Sequence, residues 1–515
     1  MSAPSRQRVC LAVDLGTGGP KVGLVRLDGE VLWQEHRPVA TAWSEGGGAV
    51  QDAGRWWELV ADSATRALQS GVVDPNEVAA VSVTGQWSST VPVDEKGQPV
   101  GQCILWMDSR GGPYSRKVIG GPVAGYAPRP ALQWIRRSGG APSSSGADPI
   151  GHILFIENAL PEVARKTALY LEPVDFLTMC FTGRAVATHA SMTAAWLTDN
   201  RRLDKLAYDP LLLRLAGIDG RKLPPLVRTG SNLGPLRPEV ARRLGLDGSV
   251  EVVTGTPDLH SAACGAGAVG DFETHLALST SAWIGAPVPF KKTDALHSIV
   301  SVPGLGPDRY LIANNHETGG YCLQWFRDLA FPGATFDEAT AEAATAKPGA
   351  GKVVFTPWLN GERSPIDDRR ARGGFHNLSV ATTRADLARA VLEGVALNNR
   401  WLHDSVESFA GRRLDPIRII GGGAQSDLWC QIHADVMGRT VERVKMPFRA
   451  NLRGAAIFAG LALGSFAADE VRSLVPAETI FEPMQANASC YNELYGEFPR
   501  LYKTGRPMFA RLNAR

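Results

Sequence analysis

Apolar and polar positions near the start of the chain predict two strands joined by a tight turn. Within residues 8–27, the first strand is apolar at every second position: Val9, Leu11 and Val13. Glycines between residues 16 and 19 interrupt this pattern, and apolar residues resume after them. Alternation with a period of two is typical of strands, and glycines favour turns. The stretch therefore predicts a β-hairpin with Asp14 at the end of its first strand.

Two segments have the spacing of an amphipathic helix. In residues 52–71 an apolar side chain recurs at every fourth position: Trp56, Val60, Ala64 and Leu68. The second segment opens with Thr383 and Asp386, which can form a capping box, and Gly411 closes it. Both segments are predicted to be helices with one buried face.

Other segments are predicted with less detail. A long helical tract is expected over roughly 152–182, and a terminal helix over 490–515. Residues 104–110 are expected to complete a β-rich region. Residues 138–151 are rich in Gly, Ser and Pro, which predicts a mobile loop.

The middle of the chain contains a candidate catalytic carboxylate. A β-branched run over 250–253 predicts a buried strand, Gly255 and Pro257 predict a turn, and a small-residue helix follows. Asp258 would therefore lie at a strand-to-helix turn, where the helix dipole keeps a carboxylate ionised. Nearby backbone N–H groups could hold an anion. The turn thus favours a base beside a phosphate, although an Asp that only caps the helix is the alternative.

The first hairpin carries groups suited to phosphate. Gly16 and Gly18 would let the backbone approach closely, while Thr17 and Lys21 could donate to phosphate oxygens. Asp14 could hold Mg²⁺ through water. A plain hairpin with a flexible tip is the alternative interpretation.

A second strand, turn and strand over 275–286 repeats this pattern. Its turn is rich in hydroxyl groups: Ser279, Thr280 and Ser281. Two such hairpins could clamp a polyphosphate from opposite sides. Since hydroxyl-rich hairpin tips are common, the repetition alone is weak support.

A strand over 417–420 runs into a glycine-rich turn and then a helix. This order is typical of nucleotide binding, because a backbone without side chains lets a base or phosphate lie close. The nucleotide candidates of this turn are Gly422, Gly423, Ala424, Ser426 and Asp427. Asn451 is predicted to cap a further small-residue helix that could pack behind the base. A tight strand–helix connection without a ligand is the alternative.

Polar and aromatic residues also collect at predicted strand ends in the first half. The substrate-binding candidates are Gln86, Ser88, Trp106, Asp108 and Arg110. Amide, carboxylate and guanidinium groups with an aromatic face suit a polyol, which needs hydroxyl partners and a stacking plane. A surface salt bridge beside a packed Trp is the alternative.

Composition narrows the function classes. A length of 515 residues predicts two or more domains, and 54 basic against 52 acidic residues with no Lys/Arg run argue against nucleic-acid binding. Seven scattered cysteines favour reduced thiols over disulfides or a zinc site. We expect no signal peptide and no membrane span, and therefore a cytoplasmic enzyme.

Taken together, the motifs resemble the FGGY family of carbohydrate kinases from about residue 9 to 465. They are DLGT at 14–17, TGQ at 84–86, LWMDSR at 105–110, GTPD at 255–258, LSTS at 278–281, FTPWLNGERSP at 355–365, RARGGF at 370–375, RADLARAVLEGVA at 384–396, GGGAQSDLWCQIHADVMG at 421–438 and RGAAIFAGLALG at 453–464. The resemblance implies an α/β fold with two actin-like (ribonuclease H-like) lobes of mixed sheets flanked by helices. ATP and sugar would lie in the cleft between an N-terminal lobe (1–266) and a C-terminal lobe (267–515).

The resemblance also implies roles. The residue matching Asp258 is the base that accepts the sugar hydroxyl proton, and the one matching Asp14 positions Mg²⁺. Those matching Thr17 and Thr280 face the phosphates, and the turn at 421–424 holds the adenosine. The implied reaction is ATP-dependent phosphorylation of a pentulose such as xylulose or ribulose, or of a polyol. A homodimer is compatible with the resemblance.

Several residues depart from the family pattern. Trp87-Ser88-Ser89 follows Gln86 where xylulose kinases of the family usually have Met-His-Gly, and Pro257 and Ser279 replace glycines. A serine at 279 would crowd a phosphate if the turn requires a positive φ. These departures leave open a catalytically weak sensor of sugar or nucleotide. A third alternative is an actin- or chaperone-like ATPase with a protein partner, which would hydrolyse ATP without sugar.

Overall fold

Two mixed β-sheets, one in each half of the chain, organise the fold. The computed structural model describes residues 8–123 and 125–514. The strands and helices of the first half are β1 (Val9–Gly16), β2 (Gly19–Arg26), β3 (Val31–His36), β4 (Ala42–Ser44), β5 (Gly48–Gln51), α1 (Ala53–Gln69), β6 (Val78–Gly85), β7 (Val91–Val93), β8 (Cys103–Ile104), α2 (Gly112–Ile119), β9 (Gly120–Val123), α3 (Pro128–Arg137), α4 (Pro149–Ala159), α5 (Pro161–Lys166), β10 (Leu169–Leu171), α6 (Pro173–Thr182), β11 (Ala187–Thr188), α7 (Pro210–Ala216), β12 (Leu226–Val227), β13 (Asn232–Pro235), α8 (Pro238–Leu244), β14 (Glu251–Val253), β15 (Thr256–Pro257) and α9 (Asp258–Ala266).

The second half continues with a similar mixture. Its elements are β16 (Thr274–Leu278), β17 (Ala282–Gly285), β18 (Pro287–Val288), β19 (Thr293–Asp294), β20 (Ile299–Pro303), β21 (Tyr310–Ala313), α10 (Tyr321–Ala330), α11 (Phe336–Thr345), β22 (Val354–Thr356), β23 (Gly374–His376), α12 (Arg384–Ala410), β24 (Ile417–Ile420), α13 (Asp427–Met437), β25 (Val441–Val444), α14 (Ala450–Ala462), α15 (Val471–Leu474), β26 (Ala477–Phe481) and α16 (Gln485–Leu512).

The two sheets share one arrangement. In the first, the order is β13-β14-β6-β1-β2-β3, with β15 also on β6; β1 is antiparallel to β2 and parallel to β6. In the second, the order is β17-β16-β24-β25-β26; β16 is antiparallel to β17 and parallel to β24. Each sheet therefore has a hairpin whose first strand also pairs with a parallel strand. This confirms the predicted repetition of the hairpin.

The two predicted amphipathic helices are confirmed. Helix α1 begins after Asp52, whose carboxylate accepts from the N–H groups of Gly54 and Arg55, and it buries Trp56 and Val60. Helix α12 has the capping box of Thr383 and Asp386 and ends before Gly411, which has a φ of 72°. Local capping chemistry therefore sets these ends.

Four expectations need correction. The tract over 152–182 is α4, α5, β10 and α6, because prolines begin the new helices and a short strand pairs with β7. In residues 104–110 the strand stops at Ile104, after which the chain turns. Asn451 lies inside the first turn of α14 and does not cap it. The terminal helix begins at Gln485, before the predicted start.

Helices α9 and α14 cross in direct backbone contact. A Cβ added to Gly454 of α14 would lie 1.8 Å from the carbonyl O of Ser261 in α9. A Cβ added to Gly265 of α9 would lie 1.8 Å from the carbonyl O of Ala450 in α14. The two helices therefore pack at a distance that only glycine permits at these positions.

No helix within the described ranges combines the length and apolar character needed to cross a bilayer.

We expect Gly454→Ala to lower the free energy of unfolding by about 3 kcal/mol, since the new methyl group has no room at the crossing. Gly496→Ala is the matched control, because Gly496 lies in helix α16 with nothing within 4 Å of an added Cβ. That control should be neutral or gain up to about 1 kcal/mol. Chemical denaturation of both variants measures the difference, and equal effects would contradict the crossing.

Candidate active site

The first hairpin places a carboxylate opposite an ammonium group. Asp14 on β1 pairs with Lys21 on β2, and Lys21 Nζ lies 3.3 Å from Asp14 Oδ2. The Asp14 side chain is 5% exposed and that of Lys21 45%. The charge of Asp14 raises the pKa of Lys21, which keeps the amine cationic. The part of the hairpin next to its tip thus presents one positive and one negative group.

Three polar residues lie at neighbouring carboxyl ends of the first sheet. Strand β15 pairs with the end of β6, so Asp258 begins α9 beside Gln86, and β6 in turn pairs with β1, which carries Asp14. Thr84 Oγ1 lies 3.0 Å from the carbonyl O of Thr256 and 2.8 Å from Ser261 Oγ. This buried hydroxyl ties β6 to the first turn of α9. The sheet therefore gathers residues that are distant in sequence.

The electrostatic environment of Asp258 differs from the expectation. Its Oδ1 accepts from the N–H of Leu259 at 2.8 Å. Desolvation, followed by the charge of Asp14, raises the pKa of Asp258 to about 7. The expectation that the helix dipole keeps this carboxylate ionised is therefore wrong, because desolvation and a like charge outweigh the single N–H contact. A carboxyl group with a pKa near neutrality is suited to accepting a proton.

The second hairpin lies beside the glycine turn. Its pairing ends at Leu278 and Ala282, which leaves Ser279, Thr280 and Ser281 at the tip. Ala277 pairs with Ile420, so this tip is adjacent to the residues that follow β24. Ser279 does not have a positive φ. The crowding expected if the turn needed such a conformation is therefore not found.

The glycines after β24 differ in the space that surrounds them. Gly421 has a φ of 96°, and its Cβ would lie 2.4 Å from the carbonyl O of Leu278. A Cβ on Gly423 would lie 2.6 Å from the Leu278 side chain, whereas one on Gly422 would meet nothing within 4 Å. Gly421 and Gly423 thus let the turn pack on β16, and Gly422 leaves open space.

The residues after the turn start helix α13. Ser426 Oγ accepts from the N–H of Trp429 at 3.2 Å and caps the helix. Asp427 forms an ion pair with Arg443. Both contacts stabilise the beginning of the helix next to the turn.

One cavity of about 700 Å³ joins the two hairpins and the glycine turn. The sequence-predicted residues that line it are Asp14, Lys21, Ser279, Thr280, Gly422, Gly423 and Ser426. Other predicted residues belong to the same turns without lining it: Gly16, Thr17, Gly18, Ser281, Ala424 and Asp427. Asp258 is not in the lining, although its charge helps to raise the pKa of Lys21.

The sequence reasoning missed the aromatic part of this lining. Trp283 and Trp429 also line the cavity, and its exposed aromatic side chains come from α10, the start of α11 and the segment before α14: Tyr321, Phe336 and Phe448. These residues are 42%, 45% and 42% exposed. Exposure is visible only in the folded chain, and no motif marked these positions.

Gln86 keeps its hydrogen-bonding capacity free. Only 5% of the residue is exposed, yet neither Nε2 nor Oε1 has a partner. Nearby, Ser88 has a φ of 62°, and Ser89 Oγ accepts from the N–H of Trp106 at 3.0 Å. A buried amide without partners is costly unless a ligand satisfies it.

The other sugar-side candidates are engaged with neighbours. Asp108 is fully buried, and its Oδ2 accepts from Arg110 Nη2 at 2.6 Å and from the N–H of Ala49 at 2.8 Å. The guanidinium of Arg110 also lies 4.6 Å from the ring centroid of Phe155. Trp106 Nε1 donates to Thr17 Oγ1 at 3.1 Å, which joins this region to the first hairpin.

Comparison with known proteins identifies the family. Residues 9–265 match the sequence model of the FGGY family of carbohydrate kinases, N-terminal domain, and residues 278–463 match the model of the C-terminal domain. The chain belongs to the FGGY family of carbohydrate kinases. It is an ATP-dependent sugar kinase.

Individual FGGY relatives span nearly the whole chain. A xylulose kinase from Staphylococcus epidermidis is 29% identical, with 98% of this chain and 99% of the relative covered. The structure of a xylulose kinase from Rhodospirillum rubrum matches with a TM-score of 0.84 at 26% identity, covering 98% and 100%. A gluconate kinase structure from Lactobacillus acidophilus matches with a TM-score of 0.87 at 22% identity, covering 98% and 99%. The two-lobed actin-like fold expected from the FGGY motifs is confirmed.

In this FGGY kinase we expect Gly421→Ala and Gly422→Ala to behave differently. The first substitution forces a side chain into a positive φ against Leu278 and should cost about 1–3 kcal/mol of stability. The second, at a φ of −64° with open space, should change stability by less than about 0.5 kcal/mol. It should still weaken ATP binding, because the methyl group enters the cavity.

Thermal unfolding with and without Mg-ATP measures both effects. Equal destabilisation by the two substitutions would contradict the assigned geometry of the turn.

Proposed function

We propose that the chain transfers the γ-phosphoryl group of ATP to a hydroxyl of a small open-chain sugar, a pentulose such as xylulose or ribulose, or a polyol. The observation that carries the proposal is the shared cavity. It brings Asp14 and Lys21 from one lobe against the second hairpin and the glycine turn of the other. The free amide of Gln86 and the start of α9 lie at the ends of adjacent strands of the same sheet.

Asp258 is proposed as the general base. Phosphoryl transfer needs in-line positioning and neutralisation of phosphate charge more than covalent chemistry by the protein. Lys21 supplies a cation, and the tips at Thr17 and Thr280 supply hydroxyl and backbone donors. The raised pKa of Asp258 supports its role, since such a group takes up a proton readily as the sugar oxygen attacks.

Asp14 is proposed to hold Mg²⁺ through water. The fit is supported by its donor set, since carboxylate oxygens suit this ion and only one of them, Oδ2, is paired with Lys21. When bound, the ion would neutralise charge on the phosphates. Asp14 and Lys21 would orient the phosphate end of ATP beside Asp258.

The candidate substrates are related small sugars and polyols. The relatives are a xylulose kinase and, for the fold, a gluconate kinase. Ser88 has a smaller side chain than the His of the Met-His-Gly pattern and Ser89 a larger one than its Gly, whereas Gln86 can both donate and accept. Coupled ADP release across xylulose, ribulose, pentitols, glycerol and gluconate identifies the substrate.

The same assay separates the alternatives. No response to any sugar would favour the catalytically weak sensor, and ADP release without sugar would favour the actin- or chaperone-like ATPase. Family membership supports the kinase over both.

The division into lobes 1–266 and 267–515 is likewise proposed, supported by family matches that end at residue 265 and resume at 278. Cytoplasmic location and a homodimer stay predictions.

We expect Asp258→Asn to lower kcat by at least about 100-fold, because the amide cannot accept the hydroxyl proton. Affinity for ATP should change little, since Asp258 is outside the cavity lining. Steady-state kinetics and calorimetric titration with ATP measure the two quantities. Near-normal turnover by this variant would refute the assignment of the base.

We expect Asp14→Asn to raise the Mg²⁺ concentration needed for half-maximal rate by about tenfold. Asp62→Asn is the control, because Asp62 is a 48% exposed carboxylate that pairs with Arg243 on the surface. Rates titrated with MgCl₂ after treatment with a chelator provide the measurement. An unchanged Mg²⁺ requirement in Asp14→Asn would remove it from the metal site.

A further inference from the structure

A cation of the C-terminal domain lies over an aromatic ring of the N-terminal domain. The guanidinium carbon of Arg363 is 5.6 Å from the ring centroid of Trp106. The two residues belong to different family domains, 278–463 and 9–265. A guanidinium at this distance from an indole face is attracted to it. The contact therefore joins the two lobes at the proposed sugar side of the cleft.

Two carboxylates of the same domain accept hydrogen bonds from Arg363. Glu317 accepts from Arg363 Nε, and its Oε1 also accepts from Arg369 Nη1 at 2.6 Å. Glu362 is fully buried, and its Oε1 accepts from the N–H groups of Glu317 and Arg363, both at 2.9 Å. Asn398 Nδ2 donates to the other oxygen of Glu362 at 2.7 Å. The position of Arg363 is thus fixed by its own lobe.

The indole N–H of Trp106 contacts the tip of the first hairpin, β1–β2. Trp106 Nε1 donates to Thr17 Oγ1 at 3.1 Å, at the tip between β1 and β2. The carbonyl O of Thr17 accepts from Gln51 Nε2 at 2.8 Å. Trp106 therefore touches Arg363 with its face and Thr17 with its edge.

We propose that Arg363 is a positioning residue that acts through Trp106 to hold the tip of the first phosphate hairpin. The inference rests on the proposed function for the role of this hairpin in ATP binding. The guanidinium over the ring face stops the indole from turning away from Thr17. Loss of the guanidinium would leave the hairpin tip less ordered and the phosphates less well held.

Arg369 offers a matched control. Both arginines form an ion pair with Glu317. Of these two arginines, only Arg363 contacts Trp106 in the part of the chain that the structure describes. Arg363→Met and Arg369→Met each remove one positive charge and one ion pair. A purely structural role for the Glu317 ion pairs predicts similar effects of the two substitutions.

The test is a double-mutant cycle on the affinity for Mg²⁺ with a non-hydrolysable ATP analogue. We expect Arg363→Met to weaken nucleotide binding about tenfold and Trp106→Leu to weaken it by a similar factor. The double variant should bind the nucleotide as tightly as the single variant with the lower affinity. Arg369→Met should stay within about twofold of the parent. Additive effects, or equal effects of the two arginine variants, would overturn the proposal. Arg363→Gln replaces Arg363→Met in the same cycle if the latter does not fold.

Kinetics with the best sugar of the panel complete the experiment. Arg363→Met should raise KM for ATP and lower kcat, while Arg369→Met should leave both near the parent values. If no sugar supports turnover by the parent protein, the proposed function fails, and the binding cycle still decides the role of Arg363.

Discussion

The direct contact of helices α9 and α14 is the constraint on which the site depends. Helix α9 starts at Asp258, at the end of the part of the chain that matches the N-terminal family model. Helix α14 comes from the part that matches the C-terminal model, yet it packs against β1, β2 and β6. Gly265 and Gly454 let the two backbones touch. A single cavity reaches from Asp14 on the first hairpin to Gly422 in the glycine turn.

A second principle of the site is that its charged groups lie close enough to influence one another. The charge of Asp14 acts on Asp258, and Lys21 is the neighbouring cation that offsets them. The raised pKa of Asp258 is therefore a product first of desolvation and then of the nearby charge of Asp14. These nearby carboxylates make the region a suitable place for additional positive charge, such as that of a metal bound to nucleotide.

Local patterns in the sequence predicted much of this arrangement. The two hairpins, α1, α12 and the glycine turn follow from alternation, capping residues and glycines, which act over a few residues. The contact of Asp108 with the N–H of Ala49, the aromatic lining from Tyr321 and the contact of Arg363 with Trp106 depend on long-range packing. No spacing along the chain encodes such contacts, so the family resemblance could name sugar-side residues without showing which were already bonded.

The unpartnered amide of Gln86 has a consequence for discrimination between ligands. A molecule that offers both an acceptor and a donor there recovers the desolvation penalty that the folded protein carries. A molecule that lacks either group leaves the desolvation penalty in place. The ratio of kcat/KM between a matching substrate and such an analogue can reach several orders of magnitude. In the proposed function, the buried amide of Gln86 would therefore select the sugar by the hydrogen-bonding groups that it offers.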